Sequence, residues 1–355
     1  MQRRSFLLGT GALIGGAAAG VLPLPGIIRA SHAQQQPIKI TLGYQSLWAG
    51  GGQIFETLRR TNILELNGIQ ADFKTFTFGG PLGEAAVAGS IDNIFAADAP
   101  TLRAISRIPG SKVLQRTHDQ RFAIVVRPDF EGGLADLKGK RLSGPFATTV
   151  FPRCVQAIIA AGVAEPFKQI RIINQDVAEQ AESLRGGVVD AVTTWDPTYE
   201  QLIQQKIGKV LWQSPQGASG IQALSGPWLE RNGEDGAVRF LKAWIIATWW
   251  TSNHIAEADE WFGKTSRLSP DLLTVADKAD RYLRQPVPDI KTLDFTISGG
   301  EIADTQQVLD FLHQQKLLTN RLDAAPFYDN GPLKRAQADV AAGRIPDLSK
   351  IAVVG

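Results

Sequence analysis

Ile38-Lys39-Ile40-Thr41-Leu42-Gly43, then Gly50-Gly51-Gly52, then residues 54–66, then 71–78: this run decides the fold. Apolar and polar residues alternate in the first segment, the period of a half-buried strand. The three glycines interrupt the chain. Residues 54–66 repeat apolar side chains at helical spacing and close near Asn67-Gly68, glycine being common just past a helix end. Alternation returns over 71–78. Strand, helix, strand with short connections is the unit of an α/β domain with a largely parallel sheet.

The pattern continues outward. Gly79-Gly80-Pro81 reads as a loop, 82–88 as a short helix and 94–97 as a third strand. Pro100 stands near the start of a helix over 100–106, where its missing N–H costs least. Residues 113–115 and 122–126 read as strands. A second α/β unit follows, with Arg141-Leu142-Ser143 leading into Gly144. Its helices are expected at 148–161, 177–186 and 197–205, and its strands at 170–173, 189–193 and 209–212. The chain crosses back over 221–225. The remainder reads as helical, at 235–254, 256–262, 270–283, 300–316 and 332–343.

The amino terminus carries a separate message. Arg3-Arg4-Ser5-Phe6-Leu7-Leu8 precedes a Gly/Ala-rich apolar stretch over 9–21, then Pro23, Pro25 and Ser31-His32-Ala33. A basic start, an apolar middle and small residues at a cleavage point make an export signal. The arginine pair gives it the twin-arginine type, with cleavage after Ala33 and delivery to the periplasm. The apolar stretch is too short to anchor across about 30 Å of hydrocarbon. Removing residues 1–33 leaves 322 of the 355 residues, enough for two domains. Taking away Arg3, Arg4 and Arg29 leaves 34 basic against 35 acidic residues, a formal charge of −1 in place of +2. Such a balance offers no basic footprint for nucleic acid or an anionic membrane. Cys154 is the single cysteine, so no intramolecular disulfide forms, and its apolar helical setting reads as a buried structural residue. The four scattered histidines and the lack of a C-x-x-C or H-x-x-x-H pattern give no support to a metal or cofactor site.

Function is carried by the turns after the strands, which are rich in Gly, Ser, Thr, Trp and Pro: Tyr44 to Trp48, Phe78 to Leu82, Ala97 to Pro100, Ser143 to Thr149 and Thr194 to Pro197. In an open α/β sheet, ligands bind outside the carboxyl ends of the strands. Hydroxyls and helix-end N–H groups donate to anions there, and Trp adds an apolar wall with one donor. No nucleophile stands beside an obvious base. The pattern points to recognition, not turnover.

Residues 38–212 resemble the nitrate/sulfonate/taurine group of periplasmic solute-binding proteins that serve ABC importers. The resemblance rests on Lys39 to Gln45, Phe78-Gly79-Gly80-Pro81, the run Glu84 to Asp92, Asp136-Leu137-Lys138-Gly139-Lys140, Gly186 to Ala191 and Trp195-Asp196-Pro197, in that order. It implies a type II periplasmic-binding-protein fold, two α/β lobes with the ligand in the cleft between them. Lobe 1 would be 37–123 plus 222–355 and lobe 2 would be 124–221, with hinge strands near 122–127 and 221–225. The implied partners are a small organic or oxoanionic solute, an ABC permease at the inner membrane and the twin-arginine export machinery, for a chain that is a monomer with no cofactor.

The same resemblance implies the contacts. Ser46, Leu47 and Trp48 come from the first loop, Gly80 and Pro81 from the second, and Asp98 from the third. Thr148 and Thr149 would hold an anionic group at a helix start, and Trp195 and Asp196 follow the next strand. Plainer readings stand beside these: Gly79-Gly80-Pro81 as a turn only, and Asp98, Thr148 and Thr149 as helix caps. Two carboxylates, Asp98 and Asp196, would oppose a small inorganic anion unless each is paired. That favours an organic solute with an aromatic or amine part. Trp228, Trp244, Trp249, Trp250 and Trp261, in helical stretches, read as core. Two other functions compete. An enzyme on the same fold, like a thiamine-pyrimidine synthase, would use His and a Cys-rich iron motif, which one Cys and three mature His do not supply. A sensor feeding a membrane kinase is the other.

Overall fold

β1 (Ile38–Gln45) and β2 (Ile69–Phe76) pair in parallel, Ile38 opposite Ile69 and Gln45 opposite Phe76. They open a computed structural model that describes residues 37–354; the export signal read at 1–33 lies outside the described residues. The helical stretch between the two strands is divided into α1 (Gly51–Arg60) and α2 (Ile63–Leu66). Thr61 makes the break. It is extended at φ −122° and ψ 163°, bridges Val353, and its hydroxyl donates to the Thr57 carbonyl at 2.7 Å. The glycine run does not interrupt the chain but starts α1. A Cβ on Gly51 would lie 2.1 Å from the Phe95 ring, and one on Gly52 2.2 Å from the Phe262 ring. Close packing therefore explains these glycines.

α3 (Gly79–Val87) follows, with Gly79, Gly80 and Pro81 in its first turn and not in a loop. Next come β3 (Asn93–Ala97), α4 (Asp98–Ile105) and β4 (Lys112–Gln120). β4 runs five residues beyond the expected end at Gln115. The second unit holds β5 (Phe122–Val126), β6 (Arg141–Gly144), α5 (Val150–Ala160), α6 (Pro166–Gln169), β7 (Arg171–Asn174), α7 (Gln180–Arg185), β8 (Ala191–Trp195), α8 (Thr198–Gln204) and β9 (Lys209–Gln213). The chain returns in β10 (Ala218–Leu224) and ends in α9 (Gly226–Asn253), α10 (Ile255–Ser266), α11 (Pro270–Asp277), α12 (Gly299–Gln314) and α13 (Gly331–Ala341).

Two lobes result. In one, β10 lies between β3 and β4, antiparallel to both. The β1–β2 pair joins this sheet through a side chain: Gly43 N donates to Asn93 Oδ1 at 2.6 Å, and Asn93 Nδ2 donates to the Gly43 carbonyl at 2.9 Å. The other lobe is a five-stranded sheet in the order β7-β6-β8-β5-β9. It is parallel where helices make the crossovers, β6 with β7 and β8. It is antiparallel at β5, which enters from the first lobe. The chain passes between the sheets at Arg121 and again over 214–217.

The helical end of the chain packs on the first lobe. α9 starts at Gly226, nine residues before the expected 235, with the Ser225 hydroxyl accepting from Trp228 N. Gly233, at φ 63°, kinks it. Trp244 on α9 meets Phe55 and Phe95 at ring-centre distances of 5.2 and 5.9 Å, contacts worth about 0.5–1.5 kcal/mol each beyond area burial. α11 stops at Asp277, short of the expected 283, because the Asp280 carboxylate takes the N–H groups of Tyr282 and Leu283 and turns the chain. No helix among the described residues is long and apolar enough to cross a membrane.

Candidate functional site

Three helices that follow strands β2, β3 and β6 bring their N-terminal ends to one place. Gly79 opens α3, Ala97 and Pro100 flank the start of α4, and Thr148, Thr149 and Val150 lead into α5; all six line a cavity of about 20 Å³ between the lobes. Gln45, Trp48, Gln120 and Trp195 complete the wall. Each helix end carries N–H groups without an intrahelical acceptor and the positive pole of the helix dipole. Their convergence is suited to an oxygen-bearing anion. The cavity admits about one water-sized sphere, so a larger solute enters only as the lobes part.

Polar contacts bridge the lobes around this point. Trp195 Nε1 donates to the Leu47 carbonyl at 3.0 Å. The Thr149 hydroxyl donates to Asp98 Oδ1 and accepts from Ala99 N at 3.1 Å. Thr77 Oγ1 donates to Asp176 at 3.0 Å. Beside the small cavity lies one of about 690 Å³ that shares Gln120 and Thr149 with it. Here Arg116, Arg121, Arg153 and Arg281 face Asp98, Asp119, Glu301 and Asp304. Arg116 pairs with Glu301 at 3.1 Å, and Arg281 with Asp119 at 2.7 Å. Arg153 pairs with Asp304 and lies 3.6 Å from Asp98.

The residues singled out from the sequence fall into three groups. Trp48, Thr148, Thr149 and Trp195 stand on the wall of the small cavity. Trp48 is 1% exposed and set edge-on to His118 at 4.2 Å. Thr148 is also a helix-start brace: its hydroxyl donates to the Pro145 carbonyl at 2.7 Å and accepts from Phe151 N at 3.2 Å. Leu47, Asp98 and Gly80 lie beside the cavity. Leu47 contributes its carbonyl, Asp98 its carboxylate, and Gly80 lines a neighbouring cavity of about 260 Å³ with Gly79. Ser46, Pro81 and Asp196 do not line it. Ser46 ties the end of β1 to the Phe76 carbonyl, Pro81 is exposed, and Asp196 is buried against Arg121.

Asp98 and Asp196 are not bare negative groups facing a solute, because each is paired. Arg121 holds Asp196 through Nε at 3.0 Å and Nη2 at 2.9 Å. Asp98 takes the Thr149 hydroxyl, Ala99 N and the Thr305 hydroxyl, with Arg153 nearby. The case against a small oxoanion, built on unpaired carboxylates, therefore loses its basis. Nor is Asp98 a cap: Ala97 takes the N-cap position and Asp98 is the first helical residue.

Burial dominates the titrations around the site. It raises Asp196 to about 6 in spite of Arg121. It pulls His118 down to about 3, so the imidazole is neutral. It pushes the Cys154 thiol well up, in a side chain packed in the core. Trp48 Nε1 and Gln120 Oε1 have no hydrogen-bond partner among the described residues. Gln120 and Val150 are wall residues outside every turn singled out in the sequence, and Gln45 lies within the Tyr44 to Trp48 turn without having been named as a contact. Gln120 ends a strand whose last two thirds, Gln115 to Gln120, are polar, and only its place one residue before a lobe crossing signals a role.

No family model matches the sequence, and no curated protein matches it. Solved structures do. The alkanesulfonate-binding protein SsuA from Xanthomonas axonopodis pv. citri, bound to MOPS, matches at 20% identity and a TM-score of 0.66 over 83% of this chain and 99% of its own. The chain has the fold of periplasmic binding proteins. The nitrate-binding protein NrtA from Synechocystis PCC 6803 matches at 15% identity and a TM-score of 0.66, over 88% of this chain and 92% of its own. The desulfurization enzyme DSZB matches at 14% identity and a TM-score of 0.58, over 84% and 99%. At these identities the likeness is one of fold.

Proposed function

We propose that this chain is an extracytoplasmic solute receptor that captures a small organic or oxoanionic solute, of the sulfonate, taurine or nitrate class, and delivers it to an ABC permease. The observation that carries the reading is the convergence of the α3, α4 and α5 starts on one interlobe cavity walled by Trp48, Thr149 and Trp195. The solute's anionic group would sit at the α5 end, with Thr148 and Thr149, and the tryptophans would cover its apolar part. The lobes, expected at 37–123 plus 222–355 and 124–221 and divided in the structure at Arg121 and over 214–217, close on it by hinge motion. The twin-arginine signal over residues 1–33 delivers the chain to the periplasm, where it works as a monomer without a cofactor. The fold likeness to sulfonate- and nitrate-binding proteins supports this solute class.

An enzyme reading has one observation in its favour, the fold likeness to DSZB. Against it, Cys154 is buried with a raised thiol, unlike an activated nucleophile. The test is a thermal-shift screen of the mature chain against sulfonates, nitrate, carboxylates, amines and aromatic acids. A solute at 100 times its dissociation constant stabilises the folded state by about 2.7 kcal/mol. A screen with no stabilising solute defeats the receptor reading. Chemical conversion of a bound solute defeats the non-enzyme reading.

A further inference from the structure

The Asp98 carboxylate is held in a way a cap is not. Three hydrogen-bond donors meet on it, with a guanidinium beside them. Ala99 N donates at 2.7 Å from the start of α4. The Thr149 and Thr305 hydroxyls donate, the latter at 3.1 Å. The Arg153 guanidinium lies 3.6 Å away. Thr149 and Arg153 belong to the lobe of β5–β9, and Asp98 and Thr305 to the other, so the cluster spans the cleft. Backbone N–H, hydroxyl and guanidinium converging at a helix start are what binds a free oxoanion.

We infer that Asp98 is a tethered surrogate for the solute's anionic group. It fills the oxoanion cradle between α4 and α5, holds the lobes together through protein groups alone, and yields the cradle only to an oxoanion able to displace it. The inference rests on the receptor reading and deepens it, making Asp98 a specificity-determining residue. A tethered group competes at an effective concentration that a free solute has to match. Weakly held oxoanions are thereby rejected, and a solute succeeds when the rest of it also gains contacts in the cleft. Arg153 also pairs with Asp304 on α12, a second ion pair across the cleft beside the cradle.

The experiment uses the mature chain, Asp98→Ala and Asp98→Asn, titrated with sodium sulfate at constant ionic strength and followed by calorimetry and small-angle scattering. Asp98→Ala should bind sulfate at least about tenfold tighter than the parent, since the competitor is gone. It should also show a larger radius of gyration that sulfate reverses. Asp98→Asn, which keeps the shape and loses the charge, should fall between them and serves if the alanine variant folds poorly. A folded variant that binds sulfate no better than the parent overturns the surrogate. If screened solutes still stabilise the parent in that case, the receptor reading survives. If no solute or sulfate shifts any of the three chains, both fall.

Discussion

Replacing Arg121 by Met tests the electrostatics of the lobe crossing. Asp196 is 1% exposed and takes two bonds from the Arg121 side chain, at 3.0 and 2.9 Å, and one from its backbone N–H at 3.2 Å. Arg121 also pairs with Glu200 at 2.6 Å and lies over the Tyr199 ring at 5.0 Å. Removing one partner of a buried pair costs about 3–5 kcal/mol because the other charge is stranded. The lower end, about 3 kcal/mol, applies here, since a quarter of the Arg121 side chain reaches solvent and screening weakens the pair. The cost has a sign in pH. Burial raises Asp196 to about 6 in the parent, above its ordinary 3.8. The folded state therefore holds this proton more tightly than the unfolded chain, and stability from this group falls as pH rises through that window. Without Arg121 the carboxyl is raised further, and the loss continues above pH 6 at up to about 1.4 kcal/mol per unit. Urea unfolding should find a small cost at pH 5 and about 3 kcal/mol at pH 8. Adding Asp196→Asn should recover most of it at pH 8. A cost below about 1 kcal/mol at pH 8, or one equal at both pH values, refutes the reasoning.

Two further outcomes follow from packing. Gly51→Ala puts a methyl 2.1 Å from the Phe95 ring and 2.9 Å from His118, and should lower the thermal midpoint through an overpacking cost of about 1–3 kcal/mol; an unchanged midpoint contradicts close packing as the reason for the glycine. His118 is held neutral by burial, at about 3 against an ordinary 6.5, so the unfolded chain binds its proton first and stability falls as pH drops from 6.5 toward 3, by about 1.4 kcal/mol per unit. His118→Gln should flatten urea stability across that window relative to the parent, and a parallel pH profile would exclude the effect.

The elements most legible in the sequence are those whose exposure alternates with the pleat. Ile40 and Leu42 are buried while Lys39 is exposed, and β1 reads directly from that period. β4 defeats the same rule. Gln115, Arg116, Thr117, His118 and Gln120 are polar yet buried, Arg116 paired with Glu301 of α12 and Gln120 on the cleft wall. Hydropathy reports transfer from water and is blind to polar side chains that the fold encloses, as Trp48 and Phe95 enclose His118. The glycines mislead in the other direction. Gly50 to Gly52 and Gly79-Gly80 read as breaks, yet they start helices that press against rings and the Ala96 methyl. On the wall of the small cavity, Trp48, Thr148, Thr149 and Trp195 are legible in the sequence because the crevice rule needs only strand ends. The role of Arg153, a helical arginine 55 residues beyond Asp98, depends on tertiary placement and leaves no local pattern.

The amide of Asn93, tying Gly43 to β3, bears on how the first lobe can change. In a continuous ladder, register is shared by every rung, and slipping it breaks them all together. Between β1 and β3 the key is concentrated in one side chain that both donates to and accepts from Gly43, with Gln45 Nε2 to the Phe95 carbonyl as a second tooth. The β1–β2 pair carries the loop of Trp48. Asp92 adds a third tie, its carboxylate accepting from Thr41 N and its N–H donating to the Thr41 carbonyl, each at 2.8 Å, so the position of one cleft wall is indexed by a few side chains, like a block keyed to its neighbour.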